Sequence, residues 1–231
     1  MGGDFNGFSP AFFRFFEDLA AHNERAWFQA NKARYRCDVV EPLSDFITAM
    51  APRLKRLSPH YIADPRPVGG SMFRIYRDMR FARGGKPYKE HGACHFRHAA
   101  HNDVHAPGFY VHLAPGEVFF GGGVWRPSGD DLRAIRARID ERPADWAAVI
   151  DDAGLRACFG GVSGDGLIRP PRGFAANHRF IEDLKRKSFF AMKEGAPQQA
   201  CAPRFIDAVD AAFQAAAPLM RFLNQALGTP F

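Results

Sequence analysis

Six cations fall within the short run RIYRDMRFARGGKPYKEH: Arg74, Arg77, Arg80, Arg83, Lys86 and Lys89, with only Asp78 and Glu90 against them. Guanidinium forks grip phosphate or carboxylate in a bidentate way, and ammonium groups add compact point charges. On an α-helix a spacing of three turns successive side chains by about 300°, so these cations share no helical face. Gly84-Gly85 and Pro87 predict a loop instead, which returns Lys86 and Lys89 over Arg74 and Arg77 at a strand end. Arg172, in Pro171-Arg172-Gly173, adds a cation on the far side, and Gly121 to Gly123 offer close backbone N–H groups. The candidate ligand set is therefore Arg74, Arg77, Asp78, Arg80, Lys86, Tyr88, Lys89, Trp125 and Arg172. The competing account pairs Asp78 with Arg74, Arg77 or Arg80 and leaves the rest to solvent. Surface pairs contribute only about 0–1 kcal/mol, so stability alone explains six cations weakly.

Proton transfer has fewer candidates. Asp78 stands among arginines, which depress a carboxylate pKa and suit it to orienting those cations better than to acting as a neutral-pH base. His178 is a second catalytic candidate. Glu117 and His112 fall on one predicted hairpin whose facing is not fixed. A second concentration, His91, His95, His98, His101 and His105 with Cys94, has spacings that share a face only on a helix; there His95, His98 and His101, or His91 and His95, become zinc- or iron-ligand candidates, with Asp103 as an extra donor. Gly92, Asn102 and Pro107 predict a mobile loop with solvent-facing histidines instead. For nucleic acid, Tyr76, Phe81, Tyr88 and Phe96 offer interleaved stacking platforms, set against the need of a Phe-rich chain to bury its aromatics.

The chain has 231 residues, 46% hydrophobic and 24% charged, with 23 Phe, which predicts a folded core rich in aromatic packing. A net charge of +6 and a pI near 9.3 suit anionic partners mildly. Four scattered cysteines form no C-x-x-C pair and fit a reducing compartment. MGGDFNGF lacks a charged n-region followed by an apolar h-region, and no apolar run approaches a membrane span. A cytoplasmic protein with no membrane partner is expected. There is no P-loop, H-E-x-x-H or EF-hand motif; G-x-S-x-G fails at Asp165, and the Gly121 run fails G-x-G-x-x-G at Arg126.

Ser9-Pro10 before AFFRFFEDLA predicts a helix, Asn23 a second helix cap, and Pro42 a third helix. Ser71 to Arg77 alternates like a strand, and Phe109 to Leu113 with Glu117 to Phe120 reads as a hairpin turned at Pro115-Gly116. Ser128 or Asp130 caps a helix, Pro143 opens another, Gly160 to Gly166 is a loop or tight hairpin, and Asn177 caps a short helix. Residues 188–192 form a candidate strand, and Pro203 begins a last helix that Pro218 should kink or split. The expectation is α+β: one domain over 1–231, helical over 8–57, strand-rich over about 71–123, and helical and mixed over 128–227, with a mixed or antiparallel central sheet between terminal helices.

Together, N-E-R-x-W-F at Asn23 to Phe28, R-I-x-R-D-x-R-F at Arg74 to Phe81, Pro87-Tyr88-Lys89, Gly121-Gly122-Gly123-x-Trp125-x-Pro127 and Pro171-Arg172-Gly173-Phe174 form a specific set. On these residues the first two hundred or so positions resemble a bacterial and fungal family catalogued as a domain of unknown function (twenty-four sixty-one). The resemblance implies membership and little chemistry, because the family carries no established activity. Arg83-Gly84-Gly85-Lys86 departs from a more polar step in that family, and the histidine-rich 91–105 segment is individual to this chain. The functional expectation is a small phosphate- or carboxylate-bearing ligand in a basic pocket, with catalysis and cofactor left open. A nucleic-acid-binding module is the alternative. A metal-dependent enzyme using residues 91–105 is the second.

Overall fold

A computed structural model describes residues 5–78, 85–100 and 105–231. Pro10–Ala21 (α1) begins after Ser9 and buries Phe12, Phe13, Phe15, Phe16 and Leu19, one apolar stripe at helical spacing. Short helices Arg25–Ala30 (α2) and Lys32–Tyr35 (α3) lead through a π-helical turn at Arg36–Val40 into Glu41–Leu57 (α4). Asn23 does not cap α2: Glu24 holds that position, and the Asn23 side chain is engaged elsewhere.

Strands Gly92–Arg97 (β1), Gly108–Ala114 (β2), Glu117–Val124 (β3) and Phe189–Gly195 (β4) form one antiparallel sheet in the order β1-β2-β3-β4. The fold is α+β, as expected. The predicted strand at Ser71 to Arg77 is only an irregular edge. It meets its neighbours at the bridges Met72↔Cys94 and Tyr76↔Tyr88, and backbone bonds such as Phe73 N–H to Ala93 O at 2.9 Å tie it to β1. Pro87, which has no N–H to give, lies in the partner segment and limits regular pairing.

After β3 come Gly129–Glu141 (α5), Pro143–Ile150 (α6), Ala153–Phe159 (α7) and Ile181–Leu184 (α8). Ser128 caps α5, its Oγ accepting from Asp131 N–H at 3.1 Å. Pro197–Ala200 (α9) follows β4, and the last helix, Phe205–Ala226 (α10), crosses the sheet. Pro218 does not split α10. It removes one N–H, but Ala216, Ala217, Leu219 and Met220 around it are buried, and their packing holds the helix through the gap.

Period-two alternation divides the sheet into two faces. Cys94, Phe96, Phe109, Val111, Phe120 and Phe189 point to the core beneath α10, where Phe213 stacks on Phe109 at 4.7 Å between ring centroids. His95, Tyr110, His112, Phe119, Phe190 and Met192 occupy the opposite face. No described helix is long and apolar enough to cross a membrane.

Candidate functional site

The edge segment and the chain that returns along it form a strip beside the sheet. Lys89 N–H donates to Ile75 O at 2.7 Å, and Arg77 N–H to Pro87 O at 2.9 Å. Asn23 fastens this strip: its Nδ2 donates to Tyr88 O at 3.1 Å and to Glu90 Oε1 at 2.8 Å, while its Oδ1 accepts from Tyr88 N–H at 3.1 Å. Replacing Asn23 by Ala strands these partly buried groups together. The expected loss is about 1–3 kcal/mol of stability, read from urea unfolding as a lower midpoint with an unchanged slope.

Along the strip runs a groove of about 1030 Å³ whose lining includes Arg74, Arg77, Asp78, Lys89, Arg97 and His95. Arg77 Nε donates to Tyr88 O at 2.9 Å, which fixes the plane of the guanidinium. Lys89 Nζ sits 5.0 Å from the centre of the Phe73 ring. Burial, and then the nearby charges of Arg74 and Arg77, push the Lys89 ammonium below its ordinary pKa. Among the described residues no acid forms an ion pair with Arg74 or Lys89.

The other predicted ligand residues lie elsewhere. Lys86 pairs with Glu90 at 2.7 Å and does not line the groove. Tyr88 is 2% exposed and stacks on Phe28 at 4.2 Å. Trp125 is 49% exposed and lines a separate cavity on the sheet. Arg172, exposed on a turn after Pro171, and His178, with Nε2 3.1 Å from Asp140 Oδ1, line neither space. Arg80, Arg83 and Phe81 lie outside the described residues. Sequence reasoning missed Arg97 and Phe73. Alternation along SMFRIYR placed Phe73 on a face but could not show that face turned toward Lys89.

The histidine segment is not a solvent-facing loop over its described length. Residues 92–97 are β1, which buries His95, and His98 just beyond it is 2% exposed. The sheet takes this segment because Cys94 and Phe96 alternate inward. Only His105 is exposed among the described histidines of the segment, its Nδ1 3.0 Å from Trp125 O; His101 and Asp103 fall outside the description. On an extended chain His91 and His95 stand roughly 13 Å apart, too far to share an ion. No group of three metal-ligating side chains gathers among the described residues. Phe96 is also unavailable as a stacking platform, because it packs on Phe213 at 5.8 Å.

His112 and Glu117 do share the sheet face opposite the core. Tyr110 Oη lies 3.1 Å from His112 Nδ1, His112 Nε2 lies 3.7 Å from Glu117 Oε2, and the His91 ring packs on His112 at 4.3 Å. Burial lowers the pKa of His112 to about 4; burial, then His112, Lys89 and Arg77, lower that of His91 to about 4. Both are neutral at neutral pH, so the His112–Glu117 contact is not an ion pair there.

Residues 11–222 match the model of a family described as a conserved hypothetical protein, DUF2461. No curated protein and no solved structure matches the chain.

Proposed function

The chain belongs to the DUF2461 family of conserved hypothetical proteins, and since that description carries no chemistry, we propose from the groove itself that the protein binds a small phosphate- or carboxylate-bearing ligand. The observation behind this is the lining: Arg74, Arg77, Lys89 and Arg97 border one space with the carboxylate of Asp78. Half-burying an ammonium beside two guanidinium groups costs free energy unless an opposite charge joins them. A bound anion supplies that charge. Arg77, oriented by the Tyr88 carbonyl, presents its remaining N–H groups, and Lys89 adds a point charge. Asp78 fits the role of an orienting counter-charge for the arginines.

Calorimetric titration with inorganic phosphate, sulfate and citrate at low salt tests this. Saturable binding is expected, and the Arg74→Ala/Lys89→Ala double variant should weaken it by about a hundred-fold or more, because hydrogen bonds to charged groups contribute roughly 1.5–3 kcal/mol each. Arg133→Ala, on the exposed face of α5, should change nothing. No binding at low ionic strength, or an unaffected double variant, removes the proposal. Short single-stranded DNA run across a salt series separates the nucleic-acid alternative, which requires a steep fall of affinity with salt. Burial of Tyr88 and Phe96 leaves that alternative with Tyr76 as its only exposed stacking ring among the described candidates.

A further inference from the structure

Beside the groove the open sheet face holds a second cavity of about 860 Å³, and Phe73 and His95 line both. The strand register explains its shape. Tyr110 pairs with Gly121 and Gly108 with Gly123, while His95 and Arg97 on β1 stand opposite Tyr110 and Gly108. Paired residues share a face, so Gly108, Gly121 and Gly123 put no side chain of their own on the sheet beyond Arg97; the His95 ring stands over Gly108, and the β4 backbone crowds Gly121 and Gly123. Phe119 lies at one end of this glycine patch and Trp125 beyond the other, with Phe190 and Met192 along β4.

Two details point to a ligand. Trp125 is half exposed at the rim although it packs on Phe190 at 5.7 Å, an apolar ring left partly in water. His95, where the two spaces meet, has a buried Nδ1 with no hydrogen-bond partner, and a Cβ at Gly108 would overlap its imidazole near Nε2. Native proteins rarely leave such an atom unsatisfied without a role for it. Glycine at 108 thus admits the His95 ring to the border of the cavity.

We infer that the ligand carries a flat aromatic ring system on its anionic group, the anion at Arg74, Arg77 and Lys89 and the ring in the second cavity among Tyr110, Phe119, Phe190 and Trp125. The inference rests on the anion-binding proposal above. Charge complementarity sets the orientation, because the cations lie at one end, whereas the other holds the aromatic side chains and the carboxylates of Glu117 and Glu194. A flat aromatic body suits the site because the lining rings offer edges and faces for offset stacking. The His95 ring, at the border of both spaces, stands where the linker between anion and ring passes. Cavities of this size hold drug-sized molecules.

Adenosine 5′-phosphate and phenyl phosphate, compared with inorganic phosphate, are suitable probes, followed by calorimetry and by Trp fluorescence. Both aromatic phosphates should bind at least about tenfold more tightly than phosphate and alter the emission of Trp125. Trp125→Ala, at an exposed position that leaves the core intact, should weaken the aromatic probes about five- to tenfold and leave phosphate unchanged. Gly108→Val should push the His95 ring off Gly108 toward the cavity and exclude them further, and circular dichroism checks that this variant folds. Phosphate binding with no gain from the ring, or equal losses for all probes in Trp125→Ala, overturns the inference and leaves the anion proposal standing. No binding of any probe overturns both.

Discussion

Phe213→Ala should cost about 3–5 kcal/mol, the range for emptying a buried Phe site. The ring is fully buried on α10, stacked on Phe109 at 4.7 Å and set edge-on to Phe96 at 5.8 Å, so it joins the helix to two strands. Neither neighbour can fill the space, since each is fixed in a strand whose alternation holds its side chain in place. Against a typical stability of about 5–15 kcal/mol the loss is large. For a chain of this size it corresponds to roughly 6–20 °C in Tm. Thermal unfolding followed by circular dichroism measures it, and a loss under about 1 kcal/mol would show that α10 is not seated on the sheet as described.

Acid should unfold the protein in a window set by three histidines. His91, His95 and His112 are held neutral in the fold with pKa values lowered to about 4, mainly by burial. In the unfolded chain each takes up a proton near the ordinary value of about 6.5. The unfolded state therefore binds more protons between these limits, and stability falls as pH drops from about 6.5 toward 4; above 6.5 these groups give no dependence. Each contributes on the order of 1–3 kcal/mol after allowance for solvent at the half-buried His91, and the His91–His112 contact makes the sum less than additive. Charges facing them shape the curve: Lys89, Arg77 and Glu90 around His91, Arg97 near His95, and Glu117 beside His112. Glu90 and Asp64, whose carboxyls are held below their usual values, add their loss at lower pH. Urea midpoints at pH 7.0, 5.5 and 4.5 should decline steadily, and His95→Gln should flatten the slope. A constant midpoint over that range would contradict the burial of these rings.

The helical ends of the molecule were legible because their signals are local. Phe12, Phe16 and Leu19 repeat at the helical period, and Pro10, Pro42 and Pro143 mark first turns through their fixed φ. The β-rich run Phe109 to Leu113 likewise gave β2, although the facing of His112 and Glu117 waited for the sheet. Elements defined by their partners were misread. The histidine segment looked like a loop because Gly92 and Pro107 bracket it, but pairing with β2 and an inward Cys94 and Phe96 made it a strand. Ser71 to Arg77 looked like a strand, but its partner contains Pro87.

Composition and periodicity by themselves determined that this chain folds around packed aromatic rings, mixes helices with strands and gathers an excess of cations between Arg74 and Lys89. The tertiary structure alone decided which of those cations share a space, that Tyr88 and Lys86 leave the group, and that Arg97 and Phe73 enter it. The reason is physical. Helical and strand periods fix a side chain's direction relative to its own backbone, whereas convergence depends on how separate backbones are paired. That pairing was set here by the β1–β2–β3 register and by the hydrogen bonds of Asn23.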